Sequence, residues 1–152
     1  METTEIKVRL IKHEGAESKM PKKATAGSAG YDLCAAISAP LTIEPGALVK
    51  VPTGVAIALP GPENVALIYA RSGLAIKHGI TLPNCVGVID SDYRGELIVG
   101  LCNISRGAYT ISPGERIAQL VITPVTPSVL TETDALDETG RSAGGFGSTG
   151  KF

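Results

Sequence analysis

Short runs of alternating apolar and polar residues, separated by prolines and glycines, fill most of this sequence. Alternation with a period of two is typical of strands with one buried face. It occurs within residues 5–12, 55–59, 65–69, 97–101 and 117–121. The breakers between the runs include Pro45-Gly46, Pro52-Thr53-Gly54, Pro60-Gly61, Pro83-Asn84 and Pro113-Gly114. We therefore predict an all-β subunit, a jelly-roll-like sandwich or barrel, with one short helix around residues 72–77 closed by Gly79.

The length and the charge balance narrow the class of protein. At 152 residues the chain fits one domain. No apolar stretch approaches the ~20 residues needed to cross a bilayer, and the first residues form no signal-peptide core. We therefore expect a soluble, intracellular, cytoplasmic protein with no membrane partner. The net charge of −1 disfavours general electrostatic binding to nucleic acid.

Three cysteines, Cys34, Cys85 and Cys102, are too few and too scattered for a disulfide framework or a CxxC metal site. We expect all three to be reduced thiols in the core, where free cysteine is most often found. Two histidines, His13 and His78, are too few for a His-rich metal centre.

The chain changes character near residue 131. Large apolar side chains almost vanish beyond this point, and several glycines follow Arg141. A frayed end is the common interpretation of such a segment. The run 144–150 nevertheless brings hydroxyls and open backbone N–H groups together around Phe146, as an anion cradle would. We expect a core over residues 1–130 and a flexible, glycine-rich tail over 131–152 that folds on binding.

Two polar clusters stand out in the first half of the chain. Asp32 interrupts an apolar stretch, where it caps a turn, pairs with a lysine, or orients a metal's water ligand or a phosphate-binding arginine. Arg71 and Ser72 stand where a strand gives way to the predicted helix. They fit a helix cap beside a solvated arginine and equally fit an anion site.

A third polar cluster carries two carboxylates, Asp90 and Asp92, followed at once by Tyr93. Alternation places the two carboxylates on one side and the tyrosine on the other. A carboxylate beside apolar residues suits a general base acting on water, and an acidic hairpin turn fits the same residues. Further on, alternation turns Gln119 inward with Ile117, where an amide needs a fixed partner. Together the clusters suggest a small polyphosphate substrate.

Five motifs carry a resemblance to a known family. They are AGYDL at 29–33, RSGLA at 71–75, GVIDSDYRGEL at 87–97, GERIAQLVI at 114–122 and RSAGGFGSTG at 141–150. In this order they resemble the motifs of the trimeric dUTP diphosphatases (dUTPases), over nearly the whole chain. One departure is Ala70, where many members carry proline before the arginine; it should alter only the rigidity of the strand end.

The resemblance implies a jelly-roll subunit in a homotrimer, with three active sites that each draw residues from all three chains. It implies hydrolysis of dUTP to dUMP and diphosphate with Mg²⁺ on the triphosphate, which keeps uracil out of DNA and supplies dUMP for dTMP synthesis. The tail is implied to close over the bound nucleotide.

The resemblance also assigns roles by motif. Asp90 activates the attacking water, and Asp32 assists the Mg²⁺-bound end indirectly, through water. It assigns the binding of uracil and deoxyribose to Asn84, Gly87, Val88, Tyr93 and Phe146. It assigns the binding of the phosphates to Arg71, Ser72, Gly73, Gln119, Arg141, Ser148 and Thr149.

Two alternatives from other classes remain. A dCTP deaminase shares the fold by the same family knowledge, but it needs a glutamate base and does not use a GFGSTG tail. A non-enzymatic jelly-roll module that binds nucleotide or protein is the other, although none of the catalytic positions is missing here.

Overall fold

The structure is a computed structural model and describes residues 3–145 and 148. In this part of the chain it has ten strands and one helix. In chain order they are β1 Lys7–Leu10, β2 Tyr31–Cys34, β3 Leu41–Ile43, β4 Leu48–Ala58, β5 Asn64–Ala70, α1 Ser72–His78, β6 Ile80–Thr81, β7 Val86–Ile89, β8 Glu96–Asn103, β9 Tyr109–Ile111 and β10 Arg116–Pro124.

The strands form two four-stranded antiparallel sheets and one two-stranded pair. The first sheet has the order β1-β4-β8-β6, the second has the order β2-β10-β5-β7, and β3 pairs with β9. Most neighbours in a sheet are distant in the chain, as in a jelly roll. The prediction of an all-β, jelly-roll subunit is confirmed.

The core takes one face of each sheet, as the alternation in β8 predicts. In β5 the buried residues are instead Ala66 and Ile68, which lie between the alternating positions Val65, Leu67 and Tyr69. In β8 the side chains of Leu97, Val99 and Leu101 are buried, while Ile98 between them is exposed. All five alternating runs overlap observed strands. Burial of one such large apolar side chain contributes about 1.5–3 kcal/mol to folding, so the two inner faces hold the sandwich together.

One predicted breaker lies inside a strand. The segment Pro52-Thr53-Gly54 does not end β4, which runs on through Ala58. The pairing with β8 instead shifts register between Pro52 and Ala56, and Gly54 takes a φ of 67°. A bulge absorbs the residues that cannot follow the ladder, so the strand bends and continues.

Helix α1 confirms the prediction of one short helix. Its C-terminus is closed by Gly79, whose N–H donates to the carbonyls of Ala75 and Leu74. The residue at the N-cap position is Arg71, and it makes no side-chain capping bond. Ser72 is therefore the first residue of the helix, and the interpretation of Ser72 as a capping residue is wrong.

The cysteines are free thiols, as predicted, but they are not core residues. Cys34 and Cys102 are half-buried, and Cys85 is exposed at a turn with a φ of 62°. Burial raises the pKa of the Cys34 thiol, with smaller effects from nearby charges that include Lys19.

Beyond β10 the described residues change character again. The N–H of Val125 donates to the carbonyl of Glu63. From Val125 to Ser148 every described residue except Gly144 is exposed, and none of the described residues lies in a strand or helix. Across the described ranges, no helix combines the length and the apolar character needed to cross a membrane.

Candidate active site

The outer face of the second sheet brings polar residues from separate motifs into one row. Gln119 pairs with Asp32 on one side and with Tyr69 on the other, and Tyr69 pairs with Val86. Side chains of residues directly opposite in neighbouring strands lie on the same face of a sheet. The row therefore runs across all four strands, on the face turned away from the core.

The prediction that the side chain of Gln119 points inward is wrong. Its side chain is exposed, while Ala118 and Leu120 on either side of it are buried. The register of β10 shifts between Arg116 and Ala118, so that Ile117 and Ala118 are both buried. A bulge of this kind breaks the alternation. It also places Gln119 on the same face as Asp32.

Asp32 lies at the centre of an ion-pair cluster. Its side chain is only 10% exposed. Arg116 Nη1 donates to Asp32 Oδ2 at 3.1 Å, and Arg71 Nε lies 3.4 Å from Asp32 Oδ1. Arg71 Nη1 also donates to the carbonyl of Arg116 at 3.1 Å. The partners of this carboxylate are arginines, so the alternatives of a turn cap or a lysine partner are wrong.

Two buried atoms of this cluster lack a hydrogen-bond partner among the described residues: Asp32 Oδ1 and Arg71 Nε. The two atoms face each other 3.4 Å apart as an ion pair that no hydrogen bond closes, so each can still take a further hydrogen bond or ligand. The described part of the chain holds no group of three or more His, Cys, Asp or Glu side chains that could bind a metal ion. A cation here would take most of its ligands from a bound substrate.

The neighbouring residues of the second motif are open to solvent. Ser72 and Gly73 are exposed at the start of α1. A Cβ built on Gly73 meets nothing within 4 Å. The structure therefore places both residues beside Arg71 with free space in front of them.

Asn84, Gly87 and Val88 lie at and just before β7, on the edge of the same sheet. The carbonyl of Asn84 accepts the N–H of Val86 at 2.6 Å. A Cβ on Gly87 would lie 3.2 Å from Ile68 Cβ and 3.8 Å from Asn84 Nδ2. The side-chain amide of Asn84 thus lies beside the bare backbone of Gly87, and Val88 is exposed.

Asp90 and Tyr93 belong to a turn. Residues 90–95 lie outside any strand, and the carbonyl of Asp90 accepts the N–H of Tyr93 at 3.2 Å. The prediction that alternation separates Asp92 from Tyr93 is wrong, because alternation applies only to extended strands. The acidic-turn alternative describes the local conformation correctly.

The ring of Tyr93 is fixed although it is 44% exposed. Its phenol donates to the carbonyl of Glu96 at 3.0 Å. The turn is further tied by Arg94 Nη1, which donates to the carbonyls of Ser91 and Tyr93. A turn held in this way presents an aromatic surface in one orientation.

A single chain does not bring all the predicted residues together. Asn84 precedes β7 and Asp90 follows it, so they leave the sheet at opposite ends, separated by about 13 Å of strand. Arg141 Nε donates to the carbonyl of Gly144, and Ser148 N–H donates to the carbonyl of Gly145, both within the tail. Phe146 and Thr149 lie outside the described residues.

The family comparison covers almost the whole chain. The family model described as dUTPase matches residues 16–150. The chain belongs to the dUTPase family.

Curated dUTPase relatives cover this chain at about half identity. The deoxyuridine 5'-triphosphate nucleotidohydrolase of Desulfitobacterium hafniense (strain DSM 10664 / DCB-2) is 49% identical over 150 residues, or 99% of each chain. That of Paraburkholderia phymatum is 53% identical over 133 residues, 88% of this chain and 90% of its own. The predicted enzyme class, dUTP diphosphatase, is confirmed at the level of the family.

Solved dUTPase structures share the fold. The Staphylococcus bacteriophage 80alpha dUTPase with dUPNHPP has a TM-score of 0.85 and 28% identity, covering 97% of this chain and 99% of its own. A mutant dUTPase from phage phi11 of S. aureus, described with a structural Mg(II) ion, has a TM-score of 0.75 and 25% identity. It covers 86% of this chain and 97% of its own.

The sequence alone does not single out Arg116 as a member of this candidate site. It lies in the same motif as Gln119 and provides a hydrogen bond to Asp32. The available signal was the buried carboxylate itself, which requires a cationic partner. Nothing in the pattern indicated which of the chain's arginines that partner is.

Proposed function

We propose that this chain hydrolyses dUTP to dUMP and diphosphate at a site shared between the subunits of a homotrimer. The observation that carries the proposal is the Asp32 cluster on the outer sheet face. Arg71 and Arg116 converge there beside the exposed Gln119. Arginine forks aimed at one place suit a polyphosphate.

The surface of a single chain supports the proposal of a shared site. The outer sheet face carries apolar side chains that a single chain leaves partly open to water, among them Leu67, Tyr69, Val88 and Val121. A second subunit on this face removes that apolar area from water. It also supplies an Asp90 turn from one chain to an Arg71 cluster from another, because the pairing of Ile89 with Ala66 puts Asp90 near the start of β5 and Arg71 follows its end.

The phosphate end of the site uses residues around Arg71. Its Nη1 is engaged by the carbonyl of Arg116, and its Nε faces Asp32. A guanidinium has five N–H donors, so the remaining ones are available to phosphate oxygens. Ser72 and Gly73 add an exposed hydroxyl and open backbone next to it. Gln119 adds an amide from the neighbouring strand.

The residues present fit Mg²⁺ held mainly by the triphosphate. Asp32 Oδ1 is a buried carboxylate oxygen that faces Arg71 Nε at 3.4 Å without a hydrogen bond to it, and carboxylate oxygen suits this ion. A single carboxylate acts most simply through the water ligands that Mg²⁺ usually keeps. When bound, the ion supplies positive charge that stabilises the charge developing on the phosphate oxygens.

Asp90 is the proposed general base. Its side chain is exposed at the end of β7, where it can face a nucleotide bound between subunits. The carboxylate takes a proton from water as the water oxygen forms its bond to phosphorus. Diphosphate leaves with the electron pair of the broken P–O bond, and dUMP remains.

The segment around β7 is proposed to select the nucleoside. Asn84 and the backbone at Gly87 and Val88 face the edge of uracil, and tight walls exclude a 5-methyl group. Tyr93 packs under the deoxyribose and leaves no room for a 2′-hydroxyl. The bond from its phenol to Glu96 supports this role, because a ring that excludes one oxygen atom has to be fixed.

We propose that residues 1–130 form the catalytic core and that 131–152 close over the nucleotide. The exposed Arg141 and Ser148 support this, because a phosphate-binding tail needs polar groups free of the core. Phe146 is proposed to stack on uracil, and Thr149 to bind phosphate with Arg141 and Ser148. Closure of this kind excludes water and completes a site.

The decisive variant for the mechanism is Asp90→Asn. It should bind dUPNHPP with wild-type affinity and release diphosphate from dUTP about 10²–10⁴-fold more slowly, because the amide cannot accept the proton. Asp92→Asn, two residues away in the same turn, is the matched control and should keep most of the activity. A fully active Asp90→Asn variant would remove Asp90 as the base.

A further inference from the structure

The segment between β1 and β2 contacts Glu96, the first residue of β8, which directly follows the turn of residues 90–95 that carries Tyr93. His13 Nε2 lies 2.8 Å from Glu96 Oε1, although 83 residues separate them. The Glu96 side chain is 14% exposed and that of His13 is 33% exposed. The proposed chemistry uses neither side chain, so this contact needs its own explanation.

The same carboxylate oxygen accepts a second hydrogen bond. The N–H of Gly54 donates to Glu96 Oε1 at 2.7 Å. Gly54 lies in the bulge of β4, where the ladder to β8 shifts register and Ala56 becomes the partner of Glu96. Two donors from separate segments converge on one oxygen, so the side chain of Glu96 has one defined position.

Glu96 in turn sets the position of the tyrosine ring. Its main-chain carbonyl accepts the phenol of Tyr93 at 3.0 Å. A Cβ built on Gly95 would lie 2.3 Å from the phenol oxygen, so the ring passes close over the backbone that leads into Glu96. Any movement of this backbone moves the ring with it.

We propose that His13 is a positioning residue for Tyr93, acting through the carboxylate of Glu96. The inference rests on the proposed function, in which the ring of Tyr93 packs under deoxyribose and excludes a 2′-hydroxyl. Without the imidazole, Glu96 keeps only the bond from Gly54. The backbone that carries the phenol acceptor is then less constrained, and the sugar pocket admits ribose more readily.

The segment that carries His13 is anchored independently of the imidazole. The N–H of Ile11 donates to the carbonyl of Gly54 at 2.8 Å. His13 and Ala16 face each other across a tight turn, with the N–H of Ala16 donating to the carbonyl of His13. Removing the imidazole therefore leaves the path of the backbone in place, which makes substitutions at this position informative.

The test compares kcat/KM for dUTP with kcat/KM for UTP in the full-length protein. His13→Ala should lower this ratio about tenfold, because a small misplacement of a positioning group costs discrimination. His13→Gln should restore the ratio, since its amide nitrogen reaches the place of Nε2. His13→Asn should not, because its amide reaches only the place of Nδ1.

A matched control separates positioning from general stability. Thr53 Oγ1 donates to the carbonyl of Leu97 at 2.6 Å in the same strand pair, and among the described residues it has no hydrogen bond with Glu96 or Tyr93. Thr53→Val should lower the unfolding temperature and leave the dUTP-to-UTP ratio unchanged. A Thr53→Val variant that lowers the ratio as much as His13→Ala would overturn the inference.

The test also distinguishes this inference from the function on which it rests. If Tyr93→Ala lowers the ratio while His13→Ala keeps the wild-type value, the inference about His13 is overturned and the role of Tyr93 stands. If Tyr93→Ala keeps the wild-type ratio, the proposed role of Tyr93 is overturned, together with the inference.

Discussion

Arg116 donates a hydrogen bond to the nearly buried carboxylate of Asp32 across 3.1 Å, between residues 84 positions apart in the chain. Arg71 approaches the other oxygen of the same carboxylate at 3.4 Å. One negative charge thus holds two arginines that would otherwise repel each other. The phosphate end of the proposed site is assembled around this carboxylate before any substrate binds.

Asp32→Asn should therefore destabilise the fold as well as the site. Loss of the carboxylate leaves Arg71 and Arg116 uncompensated, and solvent at Arg116 limits the cost, so the free energy of unfolding should fall by about 1–3 kcal/mol. Urea denaturation measures this change. Glu17→Gln is the control, because its ion pair with Lys19 is exposed and its loss should change stability by less than about 0.5 kcal/mol. Equal effects of the two substitutions would contradict the central role of Asp32.

Two glycines with similar backbone conformations allow strain to be separated from crowding. Gly46 and Gly54 have φ values of 77° and 67°. A Cβ on Gly46 meets nothing within 4 Å, whereas one on Gly54 would lie 1.9 Å from Ser18 Oγ. Gly46→Ala should cost about 1 kcal/mol of stability through its backbone alone, and Gly54→Ala clearly more. Equal losses in urea denaturation would show that the bulge at Gly54 relaxes freely.

From the environment of Tyr109 we predict that the free energy of unfolding decreases at high pH. Burial of the ring, followed by its hydrogen bond to Glu115, raises the pKa of Tyr109 to about 12. The folded state therefore favours the neutral phenol. This contribution is complete below the ordinary pKa of about 10 and is lost as the pH rises towards 12.

The measurement is the free energy of unfolding of wild type and Tyr109→Phe between pH 9 and pH 12. The difference between the two proteins should shrink as the pH rises, because phenylalanine has no proton to lose. A difference that stays constant over this range would contradict the raised pKa.

Deletion of residues 141–152 tests the proposed tail. The described residues of this segment make hydrogen bonds only within the tail, so the truncated protein should stay folded and trimeric. Its turnover of dUTP should be nearly abolished, because the groups that close the site are gone. Circular dichroism, light scattering and diphosphate release measure the three properties, and full activity in the truncated protein would contradict the role of the tail.

Much of the fold could be predicted from the sequence, because a strand with one buried face shows an alternation of apolar and polar residues. The pattern in β8 indicates which side chains face the core, and Gly79 marks the end of α1. The pattern fails at bulges. Alternation places Gln119 on the wrong face, because the extra residue in β10 leaves no trace in the order of apolar and polar residues.

The candidate site could be predicted only in part. The motifs name Asp32 and Arg71 as candidate site residues, and the structure brings the two together, but contacts between distant segments are set by the three-dimensional packing. The bond of Arg116 to Asp32 and that of His13 to Glu96 join residues more than 80 positions apart. The sequence of one chain contains no local signal for either.

The most direct test of the proposed function is diphosphate release from dUTP, with dCTP, dTTP and UTP measured in parallel, each with and without Mg²⁺. We predict fast, Mg²⁺-dependent release from dUTP and little from the other three, because the proposed pocket excludes a 5-methyl group and a 2′-hydroxyl and hydrogen-bonds the edge of uracil. No release from dUTP, or ammonia released from dCTP instead, would contradict the proposed reaction and the role of Asp90.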